Sequence, residues 1–184
     1  NGRVFYNAVF PAGTEIDIRV NEISNQNAIF ANQFAYARNL VRVKIDFSGT
    51  TKAVNMGSTF AGCVELRKAE LIGASVPFSA IAALFQDCTK LETVTGTINA
   101  NNLKNAFDKC YLLKDIRFAA ESISSSINFA WSTQLTDESV QSIIDGLADL
   151  TGGTAQTLTL STDVKAKLTE DQISAITGKN WTLA

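Results

Sequence analysis

Between residues 28 and 135, apolar positions return in a fixed order. Phe34, Phe60, Phe85 and Phe107 act as anchors, spaced 26, 25 and 22 residues apart. Four positions before each anchor stands Phe30, Met56, Ile81 or Leu103. Three positions after it comes a small residue, Ala37, Cys63, Cys88 or Cys110. Six after it comes leucine each time, at Leu40, Leu66, Leu91 and Leu113. Val43, Ala69, Val94 and Ile116 follow at nine, then Ile45, Leu71, Gly96 and Phe118 at eleven. A weaker fifth copy, Phe129, Ser132 and Leu135, has lost its strand part.

This order has a physical reading. Apolar groups at a spacing of three suit a 3₁₀ or short α turn. The alternation that follows suits a short strand. Neither piece buries its apolar face alone, so identical units must stack, phenylalanine on phenylalanine and leucine on leucine.

The ends fit the same reading. Ile16, Ile18 and Val20 alternate, and Ile18 and Val20 lie 25 residues before Val43 and Ile45. They predict a first strand, preceded by a divergent segment with Phe5, Tyr6, Phe10 and Pro11. After the repeats the period becomes helical at Val140, Ile143, Ile144 and Leu147. Thr136 is the expected N-cap, and Gly152-Gly153 the expected end of that segment. Leu158 and Leu160 predict a strand. A second helical stretch follows through Val164, Leu168, Ile173 and Ile176, with a capping box at Thr169 and Gln172 inside it. Gly178 stops it, and Trp181 and Leu183 form a last strand. Strand–helix–strand order predicts parallel strands. We expect these two strands to extend the repeat sheet and the helices to cover its open end.

Composition narrows the function classes. Hydrophobic residues make up 46% of 184, enough for a packed core. A net charge of -2 is too little to hold a phosphate backbone, so no nucleic-acid partner is expected. The sequence has no apolar run of membrane-spanning length and no basic-then-apolar N-terminal signal, so direct membrane insertion is not expected. The chain opens on Asn1 rather than Met and reads as a piece of something longer. It has no histidine, which removes the commonest general base and zinc ligand. No metal and no cofactor are expected.

The phrases FAGCVELRKAEL, FQDCTKLETV and FDKCYLLKDIRF resemble BspA-like leucine-rich repeats. The tail from Leu135 to Ala184 is similar to the segment that closes such arrays in proteins of gut bacteria and their phages. The resemblance covers roughly residues 28 to 184. It implies an α/β fold of the leucine-rich-repeat solenoid type: a parallel sheet of short strands, 3₁₀ or irregular turns opposite, and a helix-containing C-terminal cap. Residues 1–27 would be the lead-in and first rung, 28–135 the repeats and 136–184 the capping segment of one domain. It also implies display on a cell surface or virion tail, in contact with host, matrix or neighbouring cells. It supplies no catalytic residue.

The cysteines read as a buried ladder of small thiols, since Ala37 and Ser132 fill the same slot. Three free thiols are expected, because equivalent side chains on neighbouring rungs point the same way and bridge poorly. Asp137 and Glu138 sit in a helical first turn, where negative charge suits the dipole. Glu15 and Asp17 are the other close acidic pair. No calcium-loop, phosphate-loop or dinucleotide motif occurs.

Two sets of residues are candidates for partner binding. Alternation sends Arg42, Lys44, Lys68, Glu70, Thr93, Thr95, Asp115 and Arg117 to the solvent face of the sheet, in a stripe with its basic end early. That stripe is either a binding surface or an ordinary solvated face. Tyr36, Tyr111 and Trp131 occupy variable positions beside anchors, where the repeat requires no large aromatic. They either anchor an interface or stack on sugars, or they pack on the next rung. The sequence therefore predicts a non-catalytic binding or adhesion module for a host protein or glycan. The alternative is a structural spacer or assembly domain.

Overall fold

The computed structural model describes residues 4–20, 28–73, 78–100 and 102–184. Along the chain run β1 (Val9–Arg19), β2 (Ala28–Ile29), β3 (Arg38–Asp46), β4 (Val54–Asn55), β5 (Lys68–Ile72), β6 (Phe78–Ala80), β7 (Thr93–Ile98), β8 (Asp115–Phe118) and β9 (Ile127–Phe129). Then come α1 (Asp137–Gly146), β10 (Gln156–Leu160), α2 (Thr162–Lys165), α3 (Glu170–Gly178) and β11 (Trp181–Leu183). The fold is α/β, with its strands in parallel sheets and few helices. The largest sheet has the order β1-β3-β5-β7-β8 and does not close.

The repeat positions meet as the pattern requires. Val43, Ala69 and Val94 stand in register, as do Ile45 and Leu71. Phe34, Phe60 and Phe85 stack face to face with centroids 5.6 and 5.8 Å apart. Phe107 and Phe129 continue the column at 6.1 and 5.1 Å. All five anchors and the leucines Leu40, Leu66, Leu91 and Leu113 are buried.

The column also starts earlier than expected. Phe5 stacks on Phe34 at 4.9 Å. The amide of Ala8 donates to the Phe5 carbonyl, the same turn that follows every later anchor. The segment before the first strand thus contains a copy of the turn.

The turns are not 3₁₀. Asn32, Ser58, Ala83 and Asn105, two before the anchors, take positive φ, and so do Tyr36, Gly62, Asp87 and Lys109, two after them. A 3₁₀ helix needs negative φ throughout. The chain instead makes β-turns in series, each closed by a bond such as Cys63 N–H to Phe60 C=O. Rungs also bond to each other through these turns: Tyr36 N–H donates to Ala61 C=O and Gly62 N–H to Gln86 C=O. The short strands β2, β4 and β6 form a further parallel sheet that the alternation pattern did not foreshadow.

Two registers differ from the expected ones. Ile16 lies opposite Val43 and Ile18 opposite Ile45, two positions from the alignment by constant spacing. A bulge in β1 between Val9 and Thr14 absorbs the difference. In β7 the register shifts between Thr93 and Thr97, so Arg117 faces Thr97 and Phe118 faces Ile98. Gly96 sits in that shift at φ +92°, and a Cβ there would lie 1.8 Å from the Leu71 carbonyl oxygen. The inward apolar position is therefore Ile98, and Gly96 is exposed.

The tail departs from expectation in three places. Strands β10 and β11 are parallel, as predicted, but they join β9 in a separate sheet of order β11-β10-β9. Helix α1 stands where the next rung's strand would be. It therefore occupies the end of the first sheet and diverts the later strands. Helix α1 ends at Gly146, before Gly152-Gly153, which lie in a turn. The second helical stretch is two helices: the Thr169–Gln172 box caps the start of α3.

Helix α1 covers the sheet edge with hydroxyls. Ser139 Oγ accepts from the Ile116 amide and Ser142 Oγ from the Phe118 amide, both at 3.0 Å. Ser139 Oγ also donates to the Lys114 carbonyl at 2.9 Å. The outer edge of β8 is thus satisfied by side chains in place of a strand. The N-cap is Thr136, as expected. Among the described residues, every buried side-chain N or O atom has a hydrogen-bond partner.

Candidate functional site

On the sheet's outer face, register sets the neighbours. Glu15, Arg42, Lys68, Thr93 and Asp115 form one row, and Asp17, Lys44, Glu70 and Thr95 the next. Arg42 binds Asp17 at 2.8 Å, Glu70 at 3.2 Å and Glu15 at 3.4 Å. Lys68 also reaches Glu70, at 3.2 Å. The early end of the stripe is therefore not basic, because β1 brings two acids beside Arg42. Arg42, Lys44, Glu70, Thr93 and Asp115 are only partly exposed. Arg117 donates to the Ile116 carbonyl and to Ser139 Oγ, both at 2.9 Å. The bulge in β7 separates Thr95 from Arg117. This face is a charge-compensated surface.

The aromatic candidates lie elsewhere, along the turns that follow the anchors. Tyr36, Gly62, Asp87, Lys109 and Trp131 each stand two residues after an anchor, on successive rungs. Tyr36 takes φ +60°, an uncommon conformation for a bulky residue, and its side chain is half exposed. Its ring covers Gly62: a Cβ added at Gly62 would come within 2.4 Å of the Tyr36 ring. Tyr6 meets Tyr36 edge to face at 5.7 Å. At the other end of the same row, Tyr111 and Trp131 meet edge to face, also at 5.7 Å. Trp131 is 45% exposed and Tyr111 40%, so neither is consumed by packing on the next rung.

Polar groups lie between the two aromatic pairs. Lys109 bridges to Asp87 at 2.8 Å, and that bond raises its pKa. Asn128 donates to Asp108 at 3.2 Å. Burial, followed by the Asp87 charge, pushes the Asp108 carboxyl above its usual range. Sequence reasoning did not single out Asp87, Asp108, Lys109 or Asn128. Their own signal is weak, because only rung stacking brings Asp87 and Asp108 beside each other.

Cys63, Cys88 and Cys110 are free and buried. Each thiol donates to a carbonyl of the preceding rung, Phe34, Phe60 and Phe85 respectively. Burial pushes Cys63 up to about 12, and Cys88 and Cys110 further in the same direction. Such thiols are poor nucleophiles. The folded protein keeps its thiol protons above pH 9, where the unfolded chain has begun to lose them. Stability is thus full below about pH 8.5 and falls as pH rises through the window toward 12. Denaturant melts across that window should show the midpoint dropping. A thiol reagent at neutral pH should react slowly with the folded chain and fully after denaturation. Fast native labelling would contradict the burial.

Among the described residues, no group of three or more histidine, cysteine or acidic side chains could hold a metal ion. No helix of the described residues is long and apolar enough to cross a membrane. A concavity of about 350 Å³ lies between α1 and the α2–α3 segment, where Asp137 and Lys167 are the ionisable lining residues. No family model, curated protein or solved structure matches the chain.

Proposed function

We propose that this chain is a leucine-rich-repeat-type solenoid of the BspA-like kind that works as a non-catalytic binding module. Its partner would be a host protein or glycan, met from a cell surface or a virion tail. One observation carries the reading: two pairs of half-exposed aromatic rings, Tyr6–Tyr36 and Tyr111–Trp131, flank a polar row on one turn edge. Tyr36 is held there in a left-handed conformation over a glycine, although the repeat needs no ring at that position. Aromatic faces beside amide and carboxylate groups suit sugar rings or a protein hot spot. The sheet face supports the reading less, because its charges already neutralise one another.

The test is a glycan and host-protein array probed with the whole chain. The Tyr111→Ala/Trp131→Ala variant should lose the specific signal, by tenfold or more in affinity, with an unchanged melt. The Arg42→Glu/Lys68→Glu variant should keep it. Loss in the sheet-face variant alone would move the site to the sheet. No signal on a broad array would favour the spacer or assembly role.

A further inference from the structure

The two ends of the first sheet are treated differently. At β8 the serines of α1 satisfy the outer edge. At β1 the described residues supply only β3 as a neighbour. The Val20 amide donates to Asp46, so even-numbered residues of this segment turn their backbone groups toward β3. Glu15, Asp17 and Arg19 turn theirs outward, to an edge without a strand. Beneath that edge lies an open, largely apolar concavity of about 400 Å³, lined by Val4, Phe5, Phe10, Ile16, Ile18 and Phe30 among others. Val4 and Val9 are 70% and 69% exposed beside it.

We infer that a second copy of this chain docks on β1, pairing antiparallel edge to edge and closing the two apolar concavities on each other. Charge selects both the occupant and the register. A two-fold axis through Ile18 sets Asp17 opposite Arg19 of the other copy, twice. Both residues carry outward backbone groups, so each pair is hydrogen-bonded. An axis through Asp17 would oppose two aspartates, and one through Arg19 two arginines. The same axis turns both inner faces to one side of a continuous sheet, which brings Phe5, Phe10 and Ile16 against their counterparts. Such a contact is isologous and closes at two copies, while α1 blocks growth at the far end.

Sedimentation velocity of the whole chain over a wide concentration range tests this. The wild type should form a dimer. Arg19→Glu and Asp17→Arg should each be monomeric, since each sets like charges opposite. An equal mixture of the two should recover the dimer, because every opposed pair then has opposite signs. Should Asp17→Arg lose the wild-type circular dichroism spectrum, Arg19→Lys replaces it and should dimerise where Arg19→Glu does not. Trp131→Ala should dimerise normally, so failure of the binding reading and failure of this one stay distinct. A wild type monomeric at all concentrations, a dimer indifferent to Arg19→Glu, or a folded mixture that stays monomeric would each overturn the pairing.

Discussion

Leu91→Asp is expected to abolish the folded state. Leu91 is fully buried, in the leucine slot between Leu66 and Leu113 on the neighbouring rungs. An aspartate there meets leucine side chains and no cation. Burying an unpaired carboxyl and losing the leucine together cost about 4 kcal/mol or more, a large share of a domain's whole stability of about 5–15 kcal/mol. The central position makes the loss general, because each rung is held by its neighbours. Far-UV circular dichroism and a thermal melt decide the matter. Leu91→Met, which conserves volume, should cost less than about 1.5 kcal/mol and keep the spectrum. A wild-type melt for Leu91→Asp would mean that the rungs are misaligned.

Deleting residues 136–184 is expected to have the second-largest effect. It removes Ser139 and Ser142, which leaves the Ile116 and Phe118 amides without acceptors on an open sheet edge. It also removes Val140, Ile143, Ile144, Leu147, Leu158 and Trp181 from one continuous core, baring the Phe118 and Phe129 end of the stack. A long open edge over an apolar face promotes association between chains. The truncated chain should aggregate, as read by light scattering and size exclusion. A truncation that stays soluble and monomeric would show that the tail is not a cap.

The rungs were legible because phenylalanine, leucine and the small residue keep constant offsets from one another. The serial β-turns were not, since a spacing of three fits a 3₁₀ turn equally well. Only the positive φ at Asn32, Ser58 and their equivalents separates the two. The copy at Phe5 escaped notice because Phe34 lies 29 residues on, outside the usual spacing. Its trace was there in Phe5 followed three residues later by Ala8, with Asn7 in the left-handed position. Both register errors arose from reading a constant offset across a bulge. The aromatic candidates were visible as departures from the repeat. The neutralised sheet face was not, because the contacts of Glu15 and Asp17 with Arg42 depend on the true register of β1.

The parallel stacking of rungs sets a length. Tyr36 belongs to the rung of Phe34 and Trp131 to that of Phe129, four rungs along the column. At roughly 4.8 Å per rung, the two aromatic pairs are held roughly 19 Å apart. The molecule is in this sense a fixed caliper. A ligand that touches both jaws must match that gap, and one that does so gains from the second contact as a tethered ligand does. Because the intervening rungs are interchangeable in kind, adding or removing one changes the gap by a single step of roughly 4.8 Å and leaves both jaws intact.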